Sequence, residues 1–140
     1  MVNILAAPQG SGKTQKMTEL ANEAVSMYNG NVAFIKKSHH NTSDFSFDLR
    51  VVCMDDYPSV RTEDTLVTFI LGMSAANHDI EAVFIDGVYK MIKVDISEIG
   101  GFLERLSRVS KEAGIEFFVS LSAKPEEVAD YESEEIKILD

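Results

Sequence analysis

Residues 7–15 read Ala7-Pro8-Gln9-Gly10-Ser11-Gly12-Lys13-Thr14-Gln15, two closely spaced glycines followed by a lysine and a hydroxyl residue. Glycine lets backbone N–H groups turn inward and approach an anion closely. Lysine adds a point charge, and a threonine hydroxyl is a ligand for a hard cation such as Mg²⁺. The spacing is that of G-x-x-x-x-G-K-[ST], with Ala7 in the first glycine position. An apolar run precedes the segment and a helical pattern follows it, which is the setting this chemistry needs. The expected ligand is a nucleoside triphosphate, read as ATP with Mg²⁺. Lys13 is expected on the β- and γ-phosphates and Thr14 on the metal. Ala7 fits without cost if its φ stays negative; a positive φ would strain its methyl by roughly 1 kcal/mol. A tight strand-to-helix turn with no ligand is the plain alternative.

A phosphate-bound Mg²⁺ requires an acidic partner, normally an aspartate ending a buried strand. Ala82-Val83-Phe84-Ile85-Asp86 is four apolar residues and a carboxylate, so Asp86 is the candidate, against a turn-forming Asp86-Gly87 pair. Hydrolysis also needs a carboxylate to orient water. Gly87 follows Asp86, and Lys36-Lys37 ends another apolar run, which leaves Asp55 and Asp56. Turn formation before Pro58 is the preferred account of those two. None of the four arginines (Arg50, Arg61, Arg105, Arg108) is assignable as a transition-state finger. If hydrolysis needs one, a neighbouring subunit or protein partner must supply it.

These residues must be positioned by alternating apolar runs and helical patterns, the signature of an α/β fold with a mainly parallel central sheet flanked by helices. Strands are expected at Val2–Ala6, Val32–Ile35, Leu49–Met54, Ala82–Ile85 and Ile115–Leu121, with Ile136–Leu139 as an edge strand. A helix should follow the loop, since Met17, Leu20, Ala21, Ala24, Val25 and Tyr28 recur at helical steps, with Asn29-Gly30 as its stop. A second helix spans Thr62–Ala76. Asp95 and Glu98 have capping-box spacing and predict the start of a third, with Phe102, Leu106, Val109 and Ala113 inward and Gly114 at its end. Pro125 opens a short acidic helix. Ser38–Asp48 reads as a loop or loose hairpin.

The chain has 140 residues, which predicts one domain over 1–140. Its 23 acidic and 13 basic residues give a net charge of −10, which argues against a general grip on nucleic acid. Lys36-Lys37 with His39-His40 is the one candidate basic patch, and a solvated strand end is the preferred reading of it. No apolar run is long enough for a membrane span and no secretory pattern appears, so a cytoplasmic protein is expected. The single cysteine, Cys53, lies in an apolar run and reads as a small buried hydrophobe rather than a catalytic thiol.

Together these segments resemble a P-loop NTPase of the RecA/DnaB-like kind. Ala7–Thr14 matches the Walker A loop, Ala82–Asp86 resembles Walker B, and Leu103–Ser122 resembles the helix and polar-ended strand that follow. The resemblance implies a P-loop NTPase fold and ATP binding with weak or partner-stimulated ATPase activity. Two alternatives stay open: a nucleotide-dependent binding module that does not hydrolyse, and a small-molecule kinase holding its acceptor near Ser38–Asp48 or Asp55–Pro58. Thymidine kinases have a similar segment order, but the chain lacks their zinc-binding cysteines and the glutamate after the Walker B aspartate. No Asn-Lys-x-Asp guanine signature is present, which favours ATP over GTP.

Overall fold

Strands that are apolar on both sides must be covered on both sides, and that requirement builds the molecule. The computed structural model describes residues 1–40 and 44–139. The strands are Val2–Ala7 (β1), Asn31–Lys36 (β2), Arg50–Cys53 (β3), Ile80–Ile85 (β4), Glu116–Ser122 (β5) and Ile136–Ile138 (β6). They form one sheet in the order β3-β2-β4-β5-β1-β6, and every pairing is parallel. Helices Lys13–Met27 (α1), Glu63–Ala76 (α2) and Ile99–Ala113 (α4) flank it, with single-turn helices at Val88–Met91 (α3) and Pro125–Val128 (α5). The expected α/β architecture is the one observed. Among the described residues, no helix is long and apolar enough to cross a membrane.

Successive strand residues face opposite sides, so one strand supplies both cores. Phe34, Phe84 and Phe118 sit in register on β2, β4 and β5. The rings of Phe84 and Phe118 stack at 4.3 Å and 6°, and those of Phe34 and Phe84 at 6.1 Å. Met17, Ala21 and Ala24 of α1 cover this aromatic row. The other face, which includes Ile35, Val83, Ile85 and Val119, is closed by α2 and α4 through Leu66, Ile70, Phe102, Leu103 and Leu106.

Several local expectations are corrected. The helix after the glycine-rich loop stops at Met27 with Tyr28 as an extended cap, before Asn29-Gly30. Gly30 answers a different need. A Cβ there would lie 2.2 Å from the Asp79 carbonyl oxygen, and its N–H donates to Glu81 at 2.7 Å. The Asp95/Glu98 capping box does not form, and α4 begins at Ile99 without a side-chain cap. Ile96 packs against the core and its carbonyl accepts from the Tyr131 hydroxyl at 3.1 Å, which holds Asp95–Glu98 as a separate turn. Ala113 is exposed, and Leu103 and Ser110 join the inward stripe instead. Gly114 does close the helix.

The reciprocal cap occurs at α2. The Thr62 hydroxyl accepts from Thr65 N–H at 3.2 Å, and the Thr65 hydroxyl accepts from Thr62 N–H at 2.9 Å. Glu63 and Asp64 in the first turn suit the positive end of the helix dipole. Thr62→Ala should therefore lower stability by about 1 kcal/mol in urea unfolding, whereas Asp95→Ala should change it by less than about 0.5 kcal/mol. Equal effects of the two would contradict this assignment of the caps.

Candidate functional site

Ala7 is the last residue of β1 and therefore extended, so its methyl carries no left-handed strain. Pro8, Gln9, Gly10, Ser11 and Gly12 follow as an exposed loop. Gly10 and Gly12 have φ of +82° and +87°, a region that side chains other than glycine's rarely enter. Neither would have any atom within 4 Å of an added Cβ, so open space lies over both. Gly12 is the N-cap of α1 and offers no side-chain acceptor, and the first turn holds no acidic residue. Among the described residues, the N–H groups of Gly10, Gly12, Lys13, Thr14 and Gln15 have no backbone acceptor, while Ser11 and Lys16 donate to Pro8 and Gly12. A row of free N–H groups at the positive end of a four-turn helix is a binding surface for an anion.

The Lys13 ammonium donates to the Pro8 carbonyl at 3.0 Å, lying back across the loop. Burial lowers its pKa from the ordinary lysine value; neighbouring Lys90 acts in the same direction and Asp86 opposes them. The fold thus gathers Lys13, Asp86 and Lys90 although 73 residues separate Lys13 from Asp86 in the sequence. Thr14 and Gln15 are exposed at the start of α1; Gln15 donates to Glu19 at 3.4 Å.

Asp86 follows β4, and one strand, β5, lies between β4 and β1. Its backbone N–H donates to Ile35 on β2 at 2.9 Å. The buried Ser120 hydroxyl on β5 donates to its carboxylate at 2.7 Å and accepts from Gly87 N–H at 2.9 Å. β2 therefore fixes the backbone of Asp86 and β5 its carboxylate. Only the serine-rich end of β5 hinted at Ser120 in the sequence.

Asp55 and Asp56 lie in a 3₁₀ turn after β3, the edge strand four positions from β1. At about 4.8 Å per strand that separation is roughly 19 Å. Asp55 pairs with Lys37, and Asp56 receives His39 at 2.9 Å. The structure does not bring either aspartate to Lys13 and Asp86; it ties both to the exit of β2. The basic run is also not a simple solvated strand end. Lys36 is buried, donates to the His40 carbonyl and stands 5.2 Å over the Phe45 ring. Cys53 is buried, and that burial raises its thiol pKa, as suits an unreactive core residue. Part of the Ser38–Asp48 acceptor region, residues 41–43, lies outside the described residues.

Among the described residues, no group of three or more His, Cys, Asp or Glu side chains could hold a metal alone. Mg²⁺ bound with a nucleotide does not need one, since it takes one or two protein ligands and completes its shell with phosphates and water. Thr14 and Asp86 fit that requirement. Compared with models of known families and with curated proteins, the sequence finds no match in either.

Ser120→Ala would leave the Asp86 carboxylate short of a donor and Gly87 N–H short of an acceptor. Stability should fall by about 1–3 kcal/mol in urea unfolding. A variant as stable as the parent would show that Asp86 does not depend on this tie.

Proposed function

We propose that the chain binds a nucleoside triphosphate, ATP with Mg²⁺, on Ala7–Thr14 and hydrolyses it slowly. The observation that carries this reading is the junction of β1 and α1: free N–H groups, two left-handed glycines and Lys13 at one helix N-terminus, with Asp86 in electrostatic reach. The loop N–H groups receive phosphate oxygens, and Lys13 leaves the Pro8 carbonyl for the β- and γ-phosphates. Thr14 and Asp86 would hold the metal, with Ser120 orienting Asp86. Bound there, Mg²⁺ would supply positive charge to offset that of the phosphates. This assignment supports the reading of the chain as a P-loop NTPase of RecA/DnaB-like kind acting in the cytoplasm.

Slow turnover follows from what does not surround the loop. Asp86 is followed by glycine, and Asp55 and Asp56 are engaged elsewhere. Arg50 begins β3 at the opposite end of the sheet and donates to Asn31, while Arg105 pairs with Asp64. Phosphoryl transfer depends on positioning and charge stabilisation, so a chain in which no glutamate follows Asp86 to orient water should be a poor ATPase.

Lys13→Ala should weaken ATP binding roughly ten- to a hundredfold, the loss of one charge-assisted contact, while the circular dichroism spectrum stays unchanged. Undiminished retention of labelled ATP would end the phosphate-loop reading. Asp86→Asn should weaken binding with Mg²⁺ present and leave it neutral or slightly stronger in EDTA. Equal losses in both conditions would assign Asp86 a structural role instead. Phosphate release by the isolated chain should stay well under about 1 s⁻¹, below the usual enzyme range. Brisk hydrolysis, unchanged in Asp55→Asn and Asp56→Asn, would overturn this description of the centre.

A further inference from the structure

Beside the phosphate loop, beyond the end of β4, lies a cleft of about 290 Å³. One wall is the segment after β3 that carries Pro58, Val60 and Arg61; the other is Tyr89–Lys93, from α3 onward. Lys93 N–H donates to the Arg61 carbonyl at 3.0 Å and stitches the walls together. The Arg61 Nε donates to the Pro58 carbonyl at 2.7 Å, which orients the guanidinium. Four of the chain's 13 basic residues line this one cleft: Lys37, Arg61, Lys90 and Lys93. Among the described residues its only acid is Asp55, already taken by Lys37. Among the described residues, Arg61, Lys90 and Lys93 form no ion pair.

Three unpaired cations around one concavity are unexpected in a chain of net charge −10, where acidic partners are plentiful. Like charges repel, and among the described residues no carboxylate forms an ion pair with Arg61, Lys90 or Lys93. Met54, Met91 and Ile92 are buried and Tyr89 packs against the core beside them, so the cleft has an apolar side as well. A cleft with cationic groups and an apolar, aromatic side is complementary to an anionic group joined to a flat or apolar body. Arg61 suits phosphate in particular, because a guanidinium offers paired donors to its oxygens. The volume falls just under the roughly 300–1,000 Å³ of small-molecule pockets, which fits one mononucleotide-sized compound. The acidity of the chain as a whole disfavours a nucleic-acid strand.

We infer that this cleft is a second ligand site for a phosphorylated small molecule of mononucleotide size, its phosphate on Arg61, Lys90 and Lys93 and its body on Tyr89, Met91 and Ile92. Lys90 also lies in electrostatic reach of Lys13, so the site adjoins the phosphate loop. Only the significance of that adjacency rests on the nucleotide reading; the cleft itself stands apart from it.

The test uses the full chain with Mg²⁺ and a saturating non-hydrolysable ATP analogue, which occupies the phosphate loop. Calorimetric titration with each common nucleoside monophosphate should reveal one with a 1:1 dissociation constant below about 1 mM. Arg61→Gln with Lys93→Gln should weaken that binding at least about tenfold and leave ATP-analogue affinity unchanged. Lys13→Ala should do the reverse, so the two sites fail separately. The proposal is overturned if no monophosphate saturates, or if the double variant binds as well as the parent. It is overturned equally if inorganic phosphate binds as tightly as the monophosphate, or if a single-stranded oligonucleotide outcompetes it.

Discussion

All six strands run in one direction, so every carboxyl end, and every loop that follows one, lies on the same edge of the sheet. That constraint brings the β1–α1 loop, Asp86 and the turn after β3 to one rim despite their distance along the chain. Its physical origin is apolar burial on both faces, which favours parallel strands joined by covering helices. Once the Phe34–Phe84–Phe118 row lies under α1, the N-terminus of that helix points out at the rim with its N–H groups free. In open parallel sheets ligands bind outside the carboxyl ends of the strands, and the chemistry of this chain collects there.

Charge on that rim departs from the character of the molecule. The chain is acidic overall, yet Lys37, Arg61, Lys90 and Lys93 line one cleft, and Lys90 and Asp86 both lie in electrostatic reach of Lys13. Burial lowers the pKa of Lys13; Asp86 opposes that shift and Lys90 adds to it more weakly. An anion placed there would relieve both the repulsion and the unsatisfied N–H groups at once.

Three aspartates that look alike in sequence, each ending an apolar run, meet different fates. Asp86 is held by a serine hydroxyl from the adjacent strand and faces a lysine across one strand. Asp55 and Asp56 sit on the edge of the sheet, where Asp55 pairs with Lys37 and Asp56 hydrogen-bonds His39. The difference is strand order, which no local pattern encodes.

Element types, the strand–glycine-loop–helix junction at residues 7–14 and Asp86 as a strand-end carboxylate were all legible in the sequence. Those features are local: periodicity, a glycine-lysine-threonine spacing and an apolar run each act within a few residues. The sequence also placed Gly114 and the short helix at Pro125, since caps and proline act locally too. The order of strands, the burial of Lys36, the Ser120 tie and the cleft between Arg61 and Lys93 emerge only once the chain is folded. The tertiary structure also overrode a local signal at Asp95, where the Tyr131 hydroxyl claims the Ile96 carbonyl and delays α4. Each of these depends on partners more than 30 residues apart or on the packing of whole elements, and contacts of that range leave no mark in a window of neighbouring residues.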